Sequence, residues 1–329
     1  MTRPVPLAAT LARTALALAA LVLASVGLAA CASGPVDVET AESVALDLDK
    51  ARPGRLAAAL LGGLAGGGPF ERGLLSGDDD ALRLHPQRLD ATARAALRDA
   101  DGDGAIGWDE FAAFVEAAYP ATLPATLDAA RREAGFTGDG AWTAVEIDGS
   151  VMTTARRRVL VSHAALERAM DAFAADGVLA YPAGTWILGE HLGADGAVLE
   201  TTAKRRRADG SWDFAVYDST GALAPATTTE PRPLRAPLQC TGCHLGQKLY
   251  EPEKSYPAAA TEGPFGPRAY RVEDAARSAQ ATALFQEHAR RQDGVLGLYA
   301  TVYAGRLMQA RAEGTATPDE TALLERLGL

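Results

Sequence analysis

Two cysteines separated by two residues and followed at once by a histidine impose the strongest constraint on this chain: Cys240-Thr241-Gly242-Cys243-His244. The spacing is that of a c-type haem attachment site, in which both thiols form thioethers with the haem vinyl groups and the histidine ligates the iron. The alternatives are a chance CxxC, a redox dithiol or half of a zinc site. A zinc site needs about four ligands, whereas the chain has three cysteines in all. The motif therefore predicts one covalently bound haem c.

The amino terminus has the pattern of an export signal. Arg3 and Arg13 precede an apolar run over 15–30, which ends in small residues directly before Cys31. This order is typical of a secretory signal rather than of a membrane span. Leu28-Ala29-Ala30-Cys31 resembles a bacterial lipoprotein box, which implies cleavage after residue 30 and diacylation of Cys31. A signal with cleavage nearby and no lipid is the alternative.

The number of cysteines and the net charge limit what this protein can bind. With lipid on Cys31 and haem on the other two cysteines, no thiol is left for a disulfide or a nucleophile. The 32 basic and 42 acidic residues give the full chain a net charge of −10. Without Arg3 and Arg13 the net charge of the mature chain is near −12. This charge argues against nucleic-acid binding and against membrane binding through a cluster of basic residues. We expect membrane attachment through acyl chains on Cys31, a place in the cell envelope on the periplasmic side of the outer membrane, and a redox partner protein.

An EF-hand calcium pattern lies upstream. Over 99–110 the carboxylates of Asp99, Asp101 and Asp103 occupy positions 1, 3 and 5, and Glu110 occupies position 12. Ala105 supplies its backbone carbonyl, and apolar stripes on both sides predict the entering and exiting helices. An acidic turn without an ion is the alternative. We favour structural calcium over a sensor role, because residues 84–150 contain no methionine.

A second, incomplete loop follows over 135–146. It repeats the first loop at several positions, ends in Glu146, and has Gly135 where the first carboxylate should be. We expect the two loops to form an EF-hand pair, with Ile106 opposite Trp142 in the short strand between them. The second loop should bind calcium weakly or not at all, so we expect one calcium ion.

The region before the haem motif changes from helical to strand periodicity. Residues 151–177 repeat apolar side chains at three- and four-residue steps. Four short β-branched or aromatic runs follow, separated by turn signals: 178–181, 185–188, 197–202 and 211–217. An antiparallel meander of about four strands should therefore precede the haem motif.

This order resembles the cytochrome P-460 and cytochrome c′-β family over about 151–256. The residues that carry the resemblance are the haem motif, Tyr181-Pro182-Ala183-Gly184-Thr185-Trp186 and Asp209-Gly210-Ser211-Trp212-Asp213-Phe214-Ala215-Val216-Tyr217-Asp218. The resemblance implies a mainly β domain with five-coordinate haem, His244 proximal, and a distal pocket for small nitrogen species. Cytochrome P-460 oxidises hydroxylamine and carries a lysine cross-linked to its haem, whereas the c′-β relatives bind nitric oxide.

Two catalytic candidates follow from this resemblance. Lys204 is the one lysine between 151 and the haem motif, although its neighbours Arg205 to Arg207 favour a solvated strand end. Glu190 is the candidate for distal proton transfer, with a surface carboxylate as the alternative. Gly189 stands near the expected position of the family's cross-linked lysine. Whether the chain is a haem oxidoreductase of the hydroxylamine-oxidising type or a non-enzymatic haem protein stays open.

The alternative function is electron transfer by six-coordinate haem, with Met308 or a histidine as sixth ligand; a haem sensor coupled to the EF-hand pair is another. The fold class that we expect is α+β, with helical EF-hands before the β haem domain. The expected units are the signal peptide 1–30, a tether with a short helix 31–83, the EF-hand pair 84–150, the haem domain 151–262 and a C-terminal helical extension 263–329.

Overall fold

The computed structural model describes residues 35–50, 52–136, 139–148, 155–229, 233–244, 269–271 and 294–329. The described chain has helices and two sheets, which agrees with the α+β class at that level. No helix in these ranges is both long enough and apolar enough to span a bilayer.

Eight α-helices lie in the described ranges, and several begin and end at the residues expected from capping. They are α1 (Pro53–Ala65), α2 (Ala91–Ala96), α3 (Trp108–Ala118), α4 (Leu127–Glu133), α5 (His163–Asp176), α6 (Leu238–His244), α7 (Gly294–Ala312) and α8 (Pro318–Arg326). The Ser162 hydroxyl accepts a hydrogen bond from the Ala165 amide at the start of α5. Thr317 and Glu320 form a reciprocal capping box at the start of α8.

Eleven strands in the described ranges form two sheets. They are β1 (Val44–Asp47), β2 (Leu75–Ser76), β3 (Arg83–Leu84), β4 (Ala105–Gly107), β5 (Trp142–Asp148), β6 (Arg156–Ser162), β7 (Trp186–Leu192), β8 (Val198–Arg206), β9 (Trp212–Asp218), β10 (Leu223–Ala224) and β11 (Ala269–Arg271). The first sheet has the order β2-β3-β1-β4, and the second has the order β10-β9-β8-β7-β6-β5-β11.

The first sheet and helices α1 to α3 share one apolar core. Val44, Leu46 and Leu48 alternate into it from β1 and the residue after it, and Phe111 and Phe114 enter it from α3. The expectation of a tether over 31–83 is therefore wrong for β1, β2 and β3, whereas the short helix expected in this segment is α1. Apolar residues alternate along β1 and bury one face of this central strand. The alternation covers only a few residues, so it is a weak strand signal within a segment of small and acidic residues.

The second sheet is an antiparallel meander with two buried faces. Its front face carries Val159, Ile187 and Phe214, which pack against α5, α7 and α8. Its back face carries Leu188 and Ala215, which pack with α4. The register places Ile187, Lys204 and Phe214 in one row across β7, β8 and β9.

Two of the expected element boundaries are wrong. The helix expected over 151–177 is strand β6 in its first half and helix α5 in its second, because Val159-Leu160-Val161 are buried on both faces of a central strand. The run 178–181 forms no strand, although Leu179 and Tyr181 are buried. The other three runs became β7, β8 and β9, as the sequence predicts.

The expected pairing of the two EF-hand loops through Ile106 and Trp142 is also wrong. Ile106 lies in β4 and pairs in parallel with Leu46 of β1, whereas Trp142 begins β5 of the other sheet, opposite Ser162. Glu146, expected as position 12 of the second loop, lies within β5 and pairs with Arg158. The β-branched and aromatic residues of 142–147 favour a strand, so the expected boundary at 150 falls inside one sheet.

Candidate functional site

The predicted haem motif, Cys240 to His244, lies on helix α6. Cys240 is half-buried and packs against the front-face cluster, and Thr241 beside it is 2% exposed. For Cys243 and His244 the backbone alone is described, and it continues the helix. Leu238, at the first turn of the same helix, packs instead against the core of the first sheet. Helix α6 therefore contacts both cores.

Lys204 lies on the front face, with Cys240. Its exposed fraction is 7%, so the expectation of a solvated strand end is wrong here. Its ammonium is 5.9 Å from the ring centroids of both Trp212 and Tyr299. Trp212, Tyr299 and Cys240 belong to one cluster. The structure thus brings Lys204 to the same side of the sheet as Cys240, the first cysteine of the predicted haem motif.

Glu190 lies on the opposite, back face. Alternation along β7 separates it from the row of Lys204, and its carboxylate is 3.0 Å from Arg131 Nη2 and 2.6 Å from Arg158 Nη2. Its side chain is 4% exposed. The two arginines compensate the charge of this buried carboxylate, so removing a partner would leave a costly buried charge. The structure does not bring Glu190 together with Lys204 or Cys240.

Gly189 offers no room for a longer side chain. A Cβ there would lie 2.8 Å from Thr202 Oγ1, on the front face. Thr202 fills the space next to Gly189, so this position does not keep an open site for a lysine.

Met308 is the methionine that the sequence offers as an alternative axial ligand. It lies on α7 and packs against the same front-face cluster as Cys240. The His163 ring lies 5.0 Å from that of Tyr303, and both ring nitrogens of His85 have partners, Ser76 and the Glu42 carbonyl. His288 lies outside the described residues.

A buried histidine–glutamate pair lies at the far end of the front face. His191 Nδ1 is 3.3 Å from Glu200 Oε1 and 2.9 Å from Thr229 Oγ1. Burial lowers the pKa of His191 to about 4, and the nearby Arg157 charge adds to this. Burial alone would raise the pKa of Glu200, but hydrogen bonds from Thr229 and Thr228 lower it below its ordinary value. A neutral imidazole thus faces a charged carboxylate.

The acidic loop between α2 and α3 brings three carboxylates together. Ligand oxygens of Asp99, Asp101 and Asp103 lie within 4.8 Å of one another. Glycines at 102 and 104 have φ of 76° and 91°, in the left-handed region that the sharp turn requires. A hydrogen bond from the Val36 amide is the main cause that lowers the pKa of Asp99.

Glu110 is tied to the same loop from α3. Its Oε1 accepts a hydrogen bond from the Ala100 amide, and its Oε2 accepts one from the Gly107 amide at 2.9 Å. The Ala105 amide donates to Asp103 Oδ1 at 2.8 Å. Glu110 is not among the three clustered carboxylates; it closes the loop through backbone hydrogen bonds.

The predicted lipidation site, Cys31, and the signal peptide 1–30 lie outside the described residues. Comparison with known protein families, with curated proteins and with solved structures finds no significant match to this chain.

Sequence reasoning missed two features of the front face. Arg206 and Trp212 lie beside Lys204, and the spacing of Lys204 and Arg206 by two residues on one strand was the available signal. His191 and Glu200 meet across β7 and β8. Strand pairing decides that contact, and no local pattern encodes it.

Proposed function

We propose that the chain is an exported, lipid-anchored c-type cytochrome whose haem binds a small ligand or substrate of the nitric oxide or hydroxylamine class. The observation that carries this proposal is the Cys240–His244 motif on helix α6, with Cys240 against an aromatic cluster on the front face. Both a haem c and a lipidated Cys31 require export, so the two motifs support one another.

The residues of the front face suit a covalently held porphyrin. Cys240 and Cys243 would attach the haem, and His244 would ligate the iron. The cluster next to Cys240 contains large aromatic side chains from strand β9 and helix α7: Trp212, Phe214, Tyr299 and Tyr303. An apolar wall of this kind excludes water and limits the dielectric around a redox group. Bound haem would supply a redox-active iron that can take a small ligand.

The acidic loop supports calcium as a stabilising ion. Calcium prefers six to eight oxygen ligands, and Asp99, Asp101 and Asp103 cluster three carboxylates beside the Ala105 carbonyl and Glu110. Because β4 pairs with β1 of the first sheet, an ion in the loop would stabilise the packing of that sheet against α3.

A second candidate is a six-coordinate electron-transfer cytochrome. Met308 favours it, since Met308 packs against the same cluster as Cys240. In both cases a redox partner protein would exchange electrons with the haem, and acyl chains on Cys31 would hold the protein at the periplasmic side of the outer membrane.

Mass spectrometry and optical spectroscopy test the proposal. The full chain, expressed in a host that exports it and attaches haem c, should carry the mass of one haem. Its reduced form should bind carbon monoxide readily if the iron has a vacant position, whereas methionine ligation would resist the gas. A Met308→Ala variant that gains carbon monoxide binding would favour the second candidate. A bare polypeptide mass would refute both.

A further inference from the structure

A single buried carboxylate holds the segment that leads into helix α6. Glu200 on β8 is 1% exposed. Its Oε2 accepts hydrogen bonds from the Thr228 amide and hydroxyl, at 2.5 and 2.9 Å. Its Oε1 accepts hydrogen bonds from the Thr229 amide and hydroxyl, at 3.4 and 2.6 Å. Four donors from two consecutive residues therefore converge on one side chain of the second sheet.

The charge of Glu200 makes this attachment strong. Burial raises the pKa of Glu200, but the hydrogen bonds from Thr229 and Thr228 outweigh burial and bring the pKa below its ordinary value. Hydrogen bonds to a charged group are about twice as strong as those between neutral groups. The Thr229 hydroxyl also lies 2.9 Å from His191 Nδ1 on β7. Two neighbouring strands of the sheet thus hold the same short segment.

Hydrogen bonds carry this attachment onward to helix α6. Thr227 directly precedes the anchored threonines; its amide donates to the Leu234 carbonyl at 3.0 Å, and its hydroxyl accepts from the Leu234 amide at 2.8 Å. The next residue, Arg235, donates its amide to Gln239 Oε1 at 2.7 Å and accepts at its carbonyl from the Gln239 amide at 3.0 Å. Gln239 lies in the first turn of α6. The buried carboxylate is therefore connected to the residue before Cys240.

The contacts on the other side of this region are of a different kind. The ion pair between Arg235 and Glu116 joins it to α3, but the Arg235 side chain is 59% exposed, and exposed ion pairs contribute little. Leu238 packs against the core of the first sheet. Glu200 instead attaches the region to the second sheet, and Cys240 packs against the front face of that sheet.

We propose that Glu200 is a positioning residue for helix α6. By holding Thr228 and Thr229 it fixes, through the hydrogen bonds of Thr227 and Arg235, the orientation in which α6 presents Cys240 to the front face. For the haem this role rests on the proposed function, and Glu200 itself contacts neither haem nor substrate. Two thioethers and one histidine on a single helix give the haem the orientation of that helix, so a looser α6 changes how the haem lies.

Hydrogen exchange followed by mass spectrometry tests the anchoring in the purified full chain. Glu200→Gln keeps the size of the side chain and removes its charge. Amides over 227–241 should then exchange about tenfold faster or more, because hydrogen bonds to a charged group are lost. Glu200→Asp, which keeps the charge, should restore part of the protection.

Glu190→Gln is the matched control. It alters another buried carboxylate of the same sheet, which pairs with Arg131 and Arg158 on the back face. Since Glu190 has no part in the hydrogen bonds of Thr228 and Thr229, exchange over 227–241 should stay within about twofold of that of the unaltered protein. The control thus separates a role in holding α6 from a general loss of stability.

Circular dichroism of the Soret band tests the positioning in the chain that carries haem c. This signal depends on the orientation of the porphyrin relative to nearby aromatic side chains. Glu200→Gln should change the sign or intensity of the band, Glu200→Asp should return it towards that of the unaltered protein, and Glu190→Gln should leave it unchanged. If Glu200→Gln does not fold, Thr228→Val and Thr229→Val, which each remove one hydroxyl donor, should show the same changes to a smaller extent.

The results distinguish this role from the proposed function. Faster exchange over 227–241 in Glu200→Gln but not in Glu190→Gln, together with a changed Soret band, supports the positioning role. The same exchange in a chain that binds no haem supports the anchoring of α6 and refutes the proposed function. Unchanged exchange in Glu200→Gln, or equal effects of both substitutions, overturns the positioning role and leaves the haem proposal untouched.

Discussion

At the scale of single residues, two charged side chains, Lys204 and Glu190, are buried although their residue types are usually exposed. Lys204 and Glu190 are both charged and both buried, but they lie on opposite faces of the second sheet. Glu190 has two arginine partners, and Lys204 lies over aromatic rings. Glu190, for which a surface carboxylate was the alternative expected from the sequence, is therefore a buried carboxylate in an ion pair.

The His191–Glu200 pair gives a pH dependence of stability. The folded state holds His191 neutral with a pKa of about 4, below its ordinary 6.5. The unfolded state therefore binds more protons as pH falls through 6.5, and stability is lost between pH 6.5 and about 4. From pH 7 to pH 4.5, His191→Asn should remove about 2.5 kcal/mol of this pH dependence. Urea unfolding at each pH measures it, and equal slopes in both proteins would contradict the prediction.

At the scale of elements, the acidic loop over 99–110 lies between two helices as expected, but its strand does not pair with the second loop over 135–146. The loop and helix α3 form as the 12-residue pattern predicts, with α2 before them. The strand after the glycines pairs with β1, whereas residues Trp142–Asp148 form β5 of the other sheet and pair with β6.

Calcium binding by this loop is tested with two aspartates of the same segment. Asp101→Ala removes one of the three clustered carboxylates and should weaken calcium binding by about tenfold or more. Asp109→Ala changes an exposed aspartate in the first turn of α3 and should leave the affinity within about twofold. Calorimetric titration with calcium measures both. Equal affinities, or no binding by the unaltered chain, would refute the site.

At the scale of the whole molecule, Asp213 of the second sheet binds two arginines that also contact residues next to the core of the first sheet. It is 1% exposed and accepts hydrogen bonds from Arg205 and Arg207. Those arginines also donate to the carbonyls of Thr122 and Ala59, next to the first core. The Phe214 amide donates to the Tyr119 hydroxyl at 2.6 Å, and burial raises the pKa of that phenol well above its usual value. These contacts tie helix α1 and the end of α3 to strand β9.

Asp213→Asn should therefore destabilise the molecule strongly. It leaves two partly buried guanidinium groups without their shared carboxylate, and breaking a buried ion pair costs about 3–5 kcal/mol. Chemical unfolding, followed by tryptophan fluorescence and circular dichroism, should show a lower midpoint. Glu313→Gln, at the exposed residue directly after α7, should shift stability by less than about 0.5 kcal/mol. A similar midpoint for Asp213→Asn would show that the network contributes little.

Local spacing of residues is enough to predict several parts of this protein from its sequence. The CxxCH motif, the loop over 99–110, three strands of the meander and the capped helix α8 are all encoded within a dozen residues. Short-range geometry decides each of them, because helix caps, strand alternation and turn glycines need no distant partner.

The tertiary structure alone decided which strands are neighbours and which face each side chain shares. Strand β1 replaced the second loop as partner of β4, and pairing of β7, β8 and β9 put Lys204 on the face of Cys240 and Glu190 on the other. Strand pairing joins residues far apart in the chain, and a shift of one residue in register exchanges the two faces. Burial of the whole apolar surface selects that register, so it cannot be read from any one segment.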